Sequence, residues 1–331
     1  MKSSAATDNS SHHVKCDKNN INDDGNNSFI ELPPNSRPLE HQIAGHFYDQ
    51  SKTKYGLLQH SNGDVLKPLL NPPRGPCEEQ FYIDVFCQTS KSKYNSEDLI
   101  NLRKFLPHYL GTYKCQKMSY IILENIIQPF KHPCITDIKI GRITYDKEAN
   151  EEKIHRMSKN SVVAEIGFQL SGWKIYRSKY YEYHDKRCVR SLNKTDILHG
   201  IAYFYGAPIH LRLDVIELVI NKLNELQDYM KQQHTFVLIS SSLMVVYEGD
   251  DNDQELNKST FVDVRLIDFA HVFPQTNSNQ SDENFLFGLA NYIDYMKQLL
   301  DKNYVYVPID KFEHDNKTDT KIYSCYKQLL T

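Results

Sequence analysis

Several features are scarce in this 331-residue chain, and each scarcity removes a class of function. Positive charge is not in excess. The formal net charge is −3, so no global basic field marks a nucleic-acid binder, and any anion site must be a local cluster. The seven cysteines are scattered and form no Cys-x-x-Cys pair, which argues against a disulfide framework or a zinc site and fits a reducing compartment. The first thirty residues hold no apolar run, and the expectation is that they contain no signal peptide. No run of 18 apolar residues occurs, so no membrane-spanning helix is expected. Gly-x-Gly-x-x-Gly, His-Arg-Asp and Asp-Phe-Gly are absent, which weighs against an ordinary protein kinase.

What is present begins with a polar stretch. Residues 1–37 are rich in Asn, Ser, Asp and Lys and too poor in apolar groups to offset ordering entropy, so they read as a disordered tail. Beyond it, Asn62-Gly63 between two apolar runs predicts a β-hairpin with Lys67 on the returning strand. Pro72 to Pro76 reads as a turn-rich loop leading into a helix from Cys77, with Phe81 and Val85 inward. Residues 88–98 read as a polar loop, and 105–112 and 119–123 as strands. A helix is expected from about Glu148 to Asn160, with Lys153, Arg156 and Asn160 on one face. The strand from Glu165 to Tyr176 should break at Ser171-Gly172, and Trp173 there should be core. Thr195 could cap a helix to Tyr205. Leu211 to Met230 carries an apolar stripe at helical spacing through Val215, Val219, Leu223, Leu226 and Met230. A final core helix should run from Glu283 to Leu300, with Leu286, Leu289, Ile293, Met296 and Leu300 inward.

Two strands carry candidate chemistry. In Pro133-Cys134-Ile135-Thr136-Asp137-Ile138-Lys139-Ile140-Gly141, alternation puts Asp137 and Lys139 on one face, about 6.5–7 Å apart, and Ile138 and Ile140 on the other. That spacing serves an anionic-ligand grip or, equally, a surface ion pair on an edge strand. The run Phe261 to Asp268 ends in a carboxylate, costly after an apolar strand unless it is paired or bound to a cation. Mg²⁺ held with nucleotide phosphates would answer that need, as would a simple turn cap.

Pro133-x-x-x-Asp137-x-Lys139-x-Gly141 resembles the signature of the inositol polyphosphate kinase family. Ser241-Ser242-Leu243-Met244 is similar to that family's Ser-Ser-Leu-Leu segment, and Ile267-Asp268-Phe269 to its metal motif. The resemblance runs from about Leu39 to about Leu300. It implies an α+β, two-lobed, kinase-like fold of the ATP-grasp and protein-kinase type, with a small helical inositol phosphate lobe inserted after the Asp-x-Lys-x-Gly strand. The N-lobe would be 38–131 and the C-lobe 132–331, with the substrate segment at about 146–195. The cofactors implied are ATP and Mg²⁺. Lys67, paired with Glu78, would hold the phosphates beneath the Asn-Gly hairpin. Glu124, Asn125 and Ile126 would form the adenine hinge, Asp137 would contact the ribose, and Asp268 with Ser242 would hold the metal. Lys139 would be catalytic together with Asp137 and would also bind substrate, alongside Arg74, Lys153, Arg156, Lys159, Lys186 and His271. One departure touches specificity: the second helical lysine follows Lys153 by six residues rather than the family's seven, which turns Lys159 roughly 120° away.

The reaction implied is γ-phosphate transfer from ATP to inositol 1,4,5-trisphosphate and a tetrakisphosphate, towards the pentakisphosphate. Phosphoinositide lipid headgroups are a further acceptor class. His41 to His46 and Pro72 to Pro76 look most like the multikinase branch. The trisphosphate 3-kinase and hexakisphosphate kinase branches are the alternatives, as is a catalytically weak scaffold with a kinase fold. A monomer that binds inositol phosphates and no nucleic acid, in the nucleus or cytoplasm, completes the expectation.

Overall fold

The computed structural model describes residues 32–43, 48, 55–87, 91–115, 118–145, 151–158, 161–250, 262–277 and 279–313. Two five-stranded antiparallel sheets organise it. The first has the order β1-β2-β3-β5-β4. Its strands are β1 (Ser36–Pro38), β2 (Leu58–His60), β3 (Val65–Pro68), β4 (Tyr109–Lys114) and β5 (Ser119–Leu123). Helices α1 (Arg74–Cys87) and α2 (Ser96–Leu102) lie between β3 and β4 in the chain. The second sheet has the order β11-β10-β6-β7-β8. It comprises β6 (Pro133–Ile140), β7 (Phe168–Arg177), β8 (Tyr180–His184), β10 (Ser242–Glu248) and β11 (Val262–Ile267). Around it are α3 (Glu151–Ser158), α4 (Ser161–Ile166), α5 (Lys186–Arg190), α6 (Lys194–Phe204), α7 (Leu213–Gln232), α8 (Glu283–Gln298) and α9 (Asp310–Glu313). A small ribbon pairs β9 (Phe236–Leu238) with β12 (Val272–Pro274).

The core follows the apolar periodicity. Every residue of the expected α7 stripe is buried, at roughly 1.5–3 kcal/mol of burial each. In α8, Phe285 and Tyr292 join Leu289, Ile293 and Met296 inside, while Leu286 is half-buried, as is Leu300, which lies beyond the end of the helix at Gln298. Trp173 is wholly buried.

Several boundaries move. Ser36 and Arg37, expected in the tail, pair with His60 and Gln59, because backbone ladder bonds order an edge strand without needing apolar side chains. Residues 1–31 lie outside the described set. Helix α1 starts at Arg74, inside the expected loop; Pro76 falls in its first turn, where a missing N–H is tolerated. Part of the expected 88–98 loop is the start of α2, whose N-cap Asn95 accepts from the N–H groups of Glu97 and Asp98. The expected strand at 105–112 begins only at Tyr109, after a 3₁₀ turn at Arg103–Phe105. Asn193, not Thr195, caps α6. The expected break at Ser171-Gly172 is a β-bulge within a continuous strand. Thr136 faces Trp173 but Ile138 faces Leu170, leaving one extra residue on β7, and Gly172 takes φ +140° there. The segment at about 146–195 is therefore only partly helical: β7 and β8 belong to the main C-lobe sheet, and the helical insert after β6 is α3 and α4.

The Asn-Gly hairpin forms, with Gly63 at φ +100°, but it points elsewhere than expected. Val65 pairs with Leu123 and Pro68 with Tyr120, so the turn lies where β5 leaves the sheet. A Cβ on Gly63 would come within 3.0 Å of the Gln128 side chain. Lys67 is four residues away, roughly 13 Å along the strand. The β1–β2 connection emerges at the Lys67 end, because Pro38 pairs with Leu58 and Leu58 with Leu66. Its first residues then cross to the second sheet. The Ile43 carbonyl accepts from the Tyr183 hydroxyl at 3.2 Å, and His41 Nδ1 lies 2.9 Å from Lys174 Nζ.

Candidate active site

Strand β6 is the central strand of its sheet, which disposes of the edge-strand alternative for Asp137 and Lys139. Ile138 and Ile140 are fully buried on the core side. On the opposite face, Asp137 stands across the ladder from Met244, and Lys139 across from Ser242. β11 runs on the far side of β10, with Ile267 opposite Ser242. The chain then turns at Asp268, which adopts φ +67°, a left-handed conformation that is uncommon for a residue with a side chain. The turn is held by both lobes. The Ser241 hydroxyl donates to the Asp268 carbonyl at 3.0 Å, and the Phe269 N–H donates to Glu78 Oε1 of α1 at 3.1 Å.

Lys67 reaches this turn from β3. Its ammonium donates to Glu78 Oε1 and to Asp268 Oδ1, both at 2.6 Å. Lys139 Nζ lies 3.8 Å from the other Asp268 oxygen, and donates to the Ser240 carbonyl at 3.1 Å and to Ser242 Oγ at 3.4 Å. Asp268 thus stands between two ammonium groups, one from each lobe. Desolvation pushes its pKa up, but Lys67 and Lys139 outweigh this and hold it at about 2. Desolvation would lower the Lys67 pKa, yet Asp268 and Glu78 raise it above its ordinary value. Both groups are therefore charged across the neutral range.

Asp137 behaves differently. It is 6 % exposed, and Oδ1 is buried with no hydrogen-bond partner among the described residues. Desolvation raises its pKa, Lys139 opposes that, and nearby Asp268 reinforces it. The Ser242 hydroxyl bonds to this carboxylate, and Arg190 of α5 adds a stabilising charge. A second orphan lies nearby: the buried Tyr82 hydroxyl has no partner and interacts with the charges of Lys67, Glu78 and Asp268. Buried polar atoms left unmatched are rare and mark places where a ligand or water completes the set.

The structure gathers some of the remaining candidates and leaves others apart. Arg74 is exposed at the start of α1, one turn before Glu78 and so on the same helix face. Lys186 is exposed at the start of α5. Its neighbour Arg187 is turned onto Asp185 at 2.9 Å, whereas Arg190 approaches Asp137 and donates to Ser171 Oγ at 3.4 Å. His271 lies three residues after Asp268, half-buried, with its carbonyl accepting from the Ile239 N–H. Lys153 and Arg156 lie on α3, but their side chains are outside the described residues, as is all of Lys159.

At the expected hinge, the Glu124 side chain is already committed. Its carboxylate accepts from the His108 N–H at 3.0 Å and lies 3.6 Å from Arg265. Asn125 Oδ1 accepts from the Ile127 N–H at 3.2 Å, forming a local turn. Ile126 is buried in an apolar cluster with Ile43, Ile135 and Val246, against which Met244 packs. Val65 shares its strand face with Lys67, two residues on. Sequence reasoning singled out none of Val65, Met244, Ile43 or Tyr82 for the site. Only the ladder register that sets Met244 opposite Asp137 could have identified it.

A divalent cation fits this site through one carboxylate. Asp268 is ionised and 39 % exposed, a hard oxygen donor suited to such an ion when phosphates supply further ligands. Among the described residues no set of three His, Cys, Asp or Glu side chains could hold a metal alone. Ser242 offers no open oxygen: it is fully buried, and its hydroxyl is shared between Lys139 and Asp137.

Comparison with known proteins adds the decisive observation. The sequence profile of inositol polyphosphate kinase matches residues 120–297. The chain belongs to the inositol polyphosphate kinase family. Inositol polyphosphate multikinase of mouse is 38 % identical over 218 residues, covering 64 % of this chain and 54 % of that protein. Its human counterpart is 32 % identical over 303 residues, covering 84 % of this chain and 71 % of that protein. This family member thus spans about half the length of the mouse relative. Among solved structures, inositol phosphate multikinase from S. cerevisiae, in complex with ADP and Mn²⁺, aligns with TM-score 0.59 at 25 % identity, covering 72 % of this chain and 99 % of that one. The mixed, two-sheet architecture of this family member is the kinase-like fold.

Proposed function

We propose that this chain is an ATP-dependent inositol phosphate kinase of the multikinase branch, converting inositol 1,4,5-trisphosphate and a tetrakisphosphate towards the pentakisphosphate. A phosphoinositide headgroup is a further acceptor class. The observation that carries this reading is the Lys67 ammonium shared by Glu78 and Asp268 across the two sheets, with Lys139 on the opposite wall. The names of the mouse and human relatives support the branch, and the bound ADP of the yeast neighbour supports the nucleotide.

Phosphoryl transfer asks the protein mostly for positioning and charge neutralisation. In this reading Lys67 neutralises the ATP phosphates while Glu78 keeps it aimed. Asp268 is the carboxylate ligand for a divalent cation such as Mg²⁺, which supplies further neutralisation when bound. The apolar surfaces of Val65 and Met244 suit the faces of the adenine, whose edge pairs with backbone groups of Glu124 to Ile126. Asp137, with one oxygen lacking a donor, suits the ribose hydroxyls. Lys139 bridges the transferring group and the acceptor phosphates. Arg74, Arg190, Lys186, His271 and the α3 cations Lys153, Arg156 and Lys159 receive the other inositol phosphates. A loose transition state needs no strong general base.

The test is turnover by the purified full chain with Mg-ATP, offering inositol 1,4,5-trisphosphate, a tetrakisphosphate and hexakisphosphate in parallel, with Lys139→Ala as control. Successive conversion of trisphosphate to pentakisphosphate, lost in the variant, is the expected result. Arrest at one tetrakisphosphate, or turnover of hexakisphosphate alone, would assign the chain to another branch. No turnover of any acceptor would leave a binding scaffold.

A further inference from the structure

A second cluster of reactive side chains lies on the outer strands of the C-lobe sheet, apart from the lysines described above. Glu182 and His184 end β8, and Cys188 is on α5. His184 Nε2 lies 2.7 Å from Glu182 Oε1, and His184 Nδ1 lies 3.6 Å from Cys188 Sγ. Glu182 also accepts from the Tyr203 hydroxyl and, at 2.9 Å, from Arg177 Nε. Desolvation would raise the Glu182 carboxyl, but the hydrogen bonds from His184 and Tyr203 and the charge of Arg177 hold it at about 2. Facing a carboxylate, His184 Nε2 must donate. In the tautomer with its proton on Nε2, the ring presents Nδ1 as an acceptor to the thiol. The imidazole is 2 % exposed and wedged edge-on against Trp173, Tyr203 and Phe312, so its orientation is fixed. Carboxylate, oriented imidazole and thiol form the arrangement that activates a nucleophile.

The other described thiols lack this arrangement. Cys77 and Cys87 are exposed. Cys115 donates to the Met118 carbonyl, and Cys134 is buried, with its pKa pushed up to about 11 chiefly by desolvation. Cys188 is half-buried, less open than Cys77 and Cys87. Glu182 and Cys188 face opposite nitrogens of the His184 ring, so the three do not converge on one ion.

We propose that Cys188 is a modification site for small hydroperoxides, of which hydrogen peroxide is the simplest. His184 Nδ1 takes the thiol proton. The sulfur attacks one peroxide oxygen, an S–O bond forms and the O–O bond breaks. The departing oxygen takes the proton back from His184 and leaves as water. The sulfur loses two electrons to become a sulfenic acid, and the peroxide is reduced. Because α5 also carries Arg190, which approaches Asp137, the oxidised thiol sits on the element that faces the phosphotransfer site.

The experiment treats the intact, folded chain with limiting hydrogen peroxide in the presence of a sulfenic-acid-specific dione, and reads adducts site by site by mass spectrometry. Cys188 should label about tenfold or more faster than the more exposed Cys77 and Cys87, the order opposite to accessibility. Glu182→Gln should remove that preference. Should this variant fail to fold, the wild-type pH series decides alone: between pH 8.5 and 6.5, labelling at Cys188 should fall less than at Cys77 and Cys87. Equal or faster labelling of Cys77 and Cys87, or parallel pH profiles, would overturn the proposal.

Discussion

The charge clusters around Glu182 and around Asp268 differ in what is left over. Around Glu182, every acceptor is engaged: Arg177, His184 and Tyr203 all donate to one carboxylate, and the carboxylate and arginine side chains are each only 9 % exposed. Around Asp268, charges are just as close, but Asp268 is open to solvent, Asp137 Oδ1 and the Tyr82 hydroxyl are unmatched, and Asp268 holds a left-handed backbone. A closed network of this kind fixes neighbouring groups in place. A network with clustered cations and orphan polar atoms is arranged for a ligand that brings charge of its own. The first lies within one lobe, while the second spans two, so only the second can respond to what enters between them.

Breaking the open cluster should affect activity far more than stability. Lys139→Ala and Asp268→Asn should each lower turnover about a thousandfold or more. In Asp268→Asn, Lys67 retains Glu78, so melting by calorimetry should shift little; Lys139→Ala removes the charge that opposes desolvation of Asp137 and should push that carboxyl further up. Breaking the closed cluster should do the reverse. Glu182→Ala strands Arg177 and should cost about 3–5 kcal/mol in denaturant unfolding, with near-native turnover in the fraction that stays folded. A Glu182→Ala variant that is stable and inactive would erase the distinction.

Glu78→Gln sharpens the comparison, since Glu78 is buried yet belongs to the open cluster. It should reduce kcat about ten- to a hundredfold by loosening Lys67, while the Phe269 N–H keeps an acceptor. The smallest effect is in pH. Both Asp268 and Glu182 have depressed pKa values near 2, so each contributes stability present above its unfolded value and lost as pH falls towards 2. Asp282, the N-cap of α8, goes the other way. Burial raises its pKa to about 6 despite N–H donors from Leu238 and Phe285. The native state then binds more protons than the unfolded state between about pH 4 and 6, so this group's contribution falls as pH rises through that window. Asp282→Asn should flatten the pH dependence of melting there, and an unchanged slope would refute the assignment.

Much of this was legible in the sequence because it rests on local periodicity. Alternation set Asp137 and Lys139 on one face of β6, and the i, i+3, i+4 stripe of α7 is buried as read. Lys67 and Glu78 do meet, though resemblance rather than spacing suggested the pair. What escaped depends on register and on long-range closure. The β2–β3 turn was recognisable from Asn62-Gly63, but its position at the Gln128 end follows from pairing β3 with β5, which no local signal encodes. Neither Met244 opposite Asp137 nor the crossing of His41 and Ile43 to the second sheet could be read before the ladder was known. The bulge at Gly172 looked like a break because a glycine in a strand signals both.

Asp268, flanked by Lys67 and Lys139, should act as a cation-dependent phosphate site. Isothermal titration of ADP into wild-type protein and Asp268→Asn, each with and without Mg²⁺, tests it most directly. Mg²⁺ should strengthen nucleotide binding to the wild type, and the variant should lose this enhancement. Equal Mg²⁺ enhancement in both proteins would contradict it.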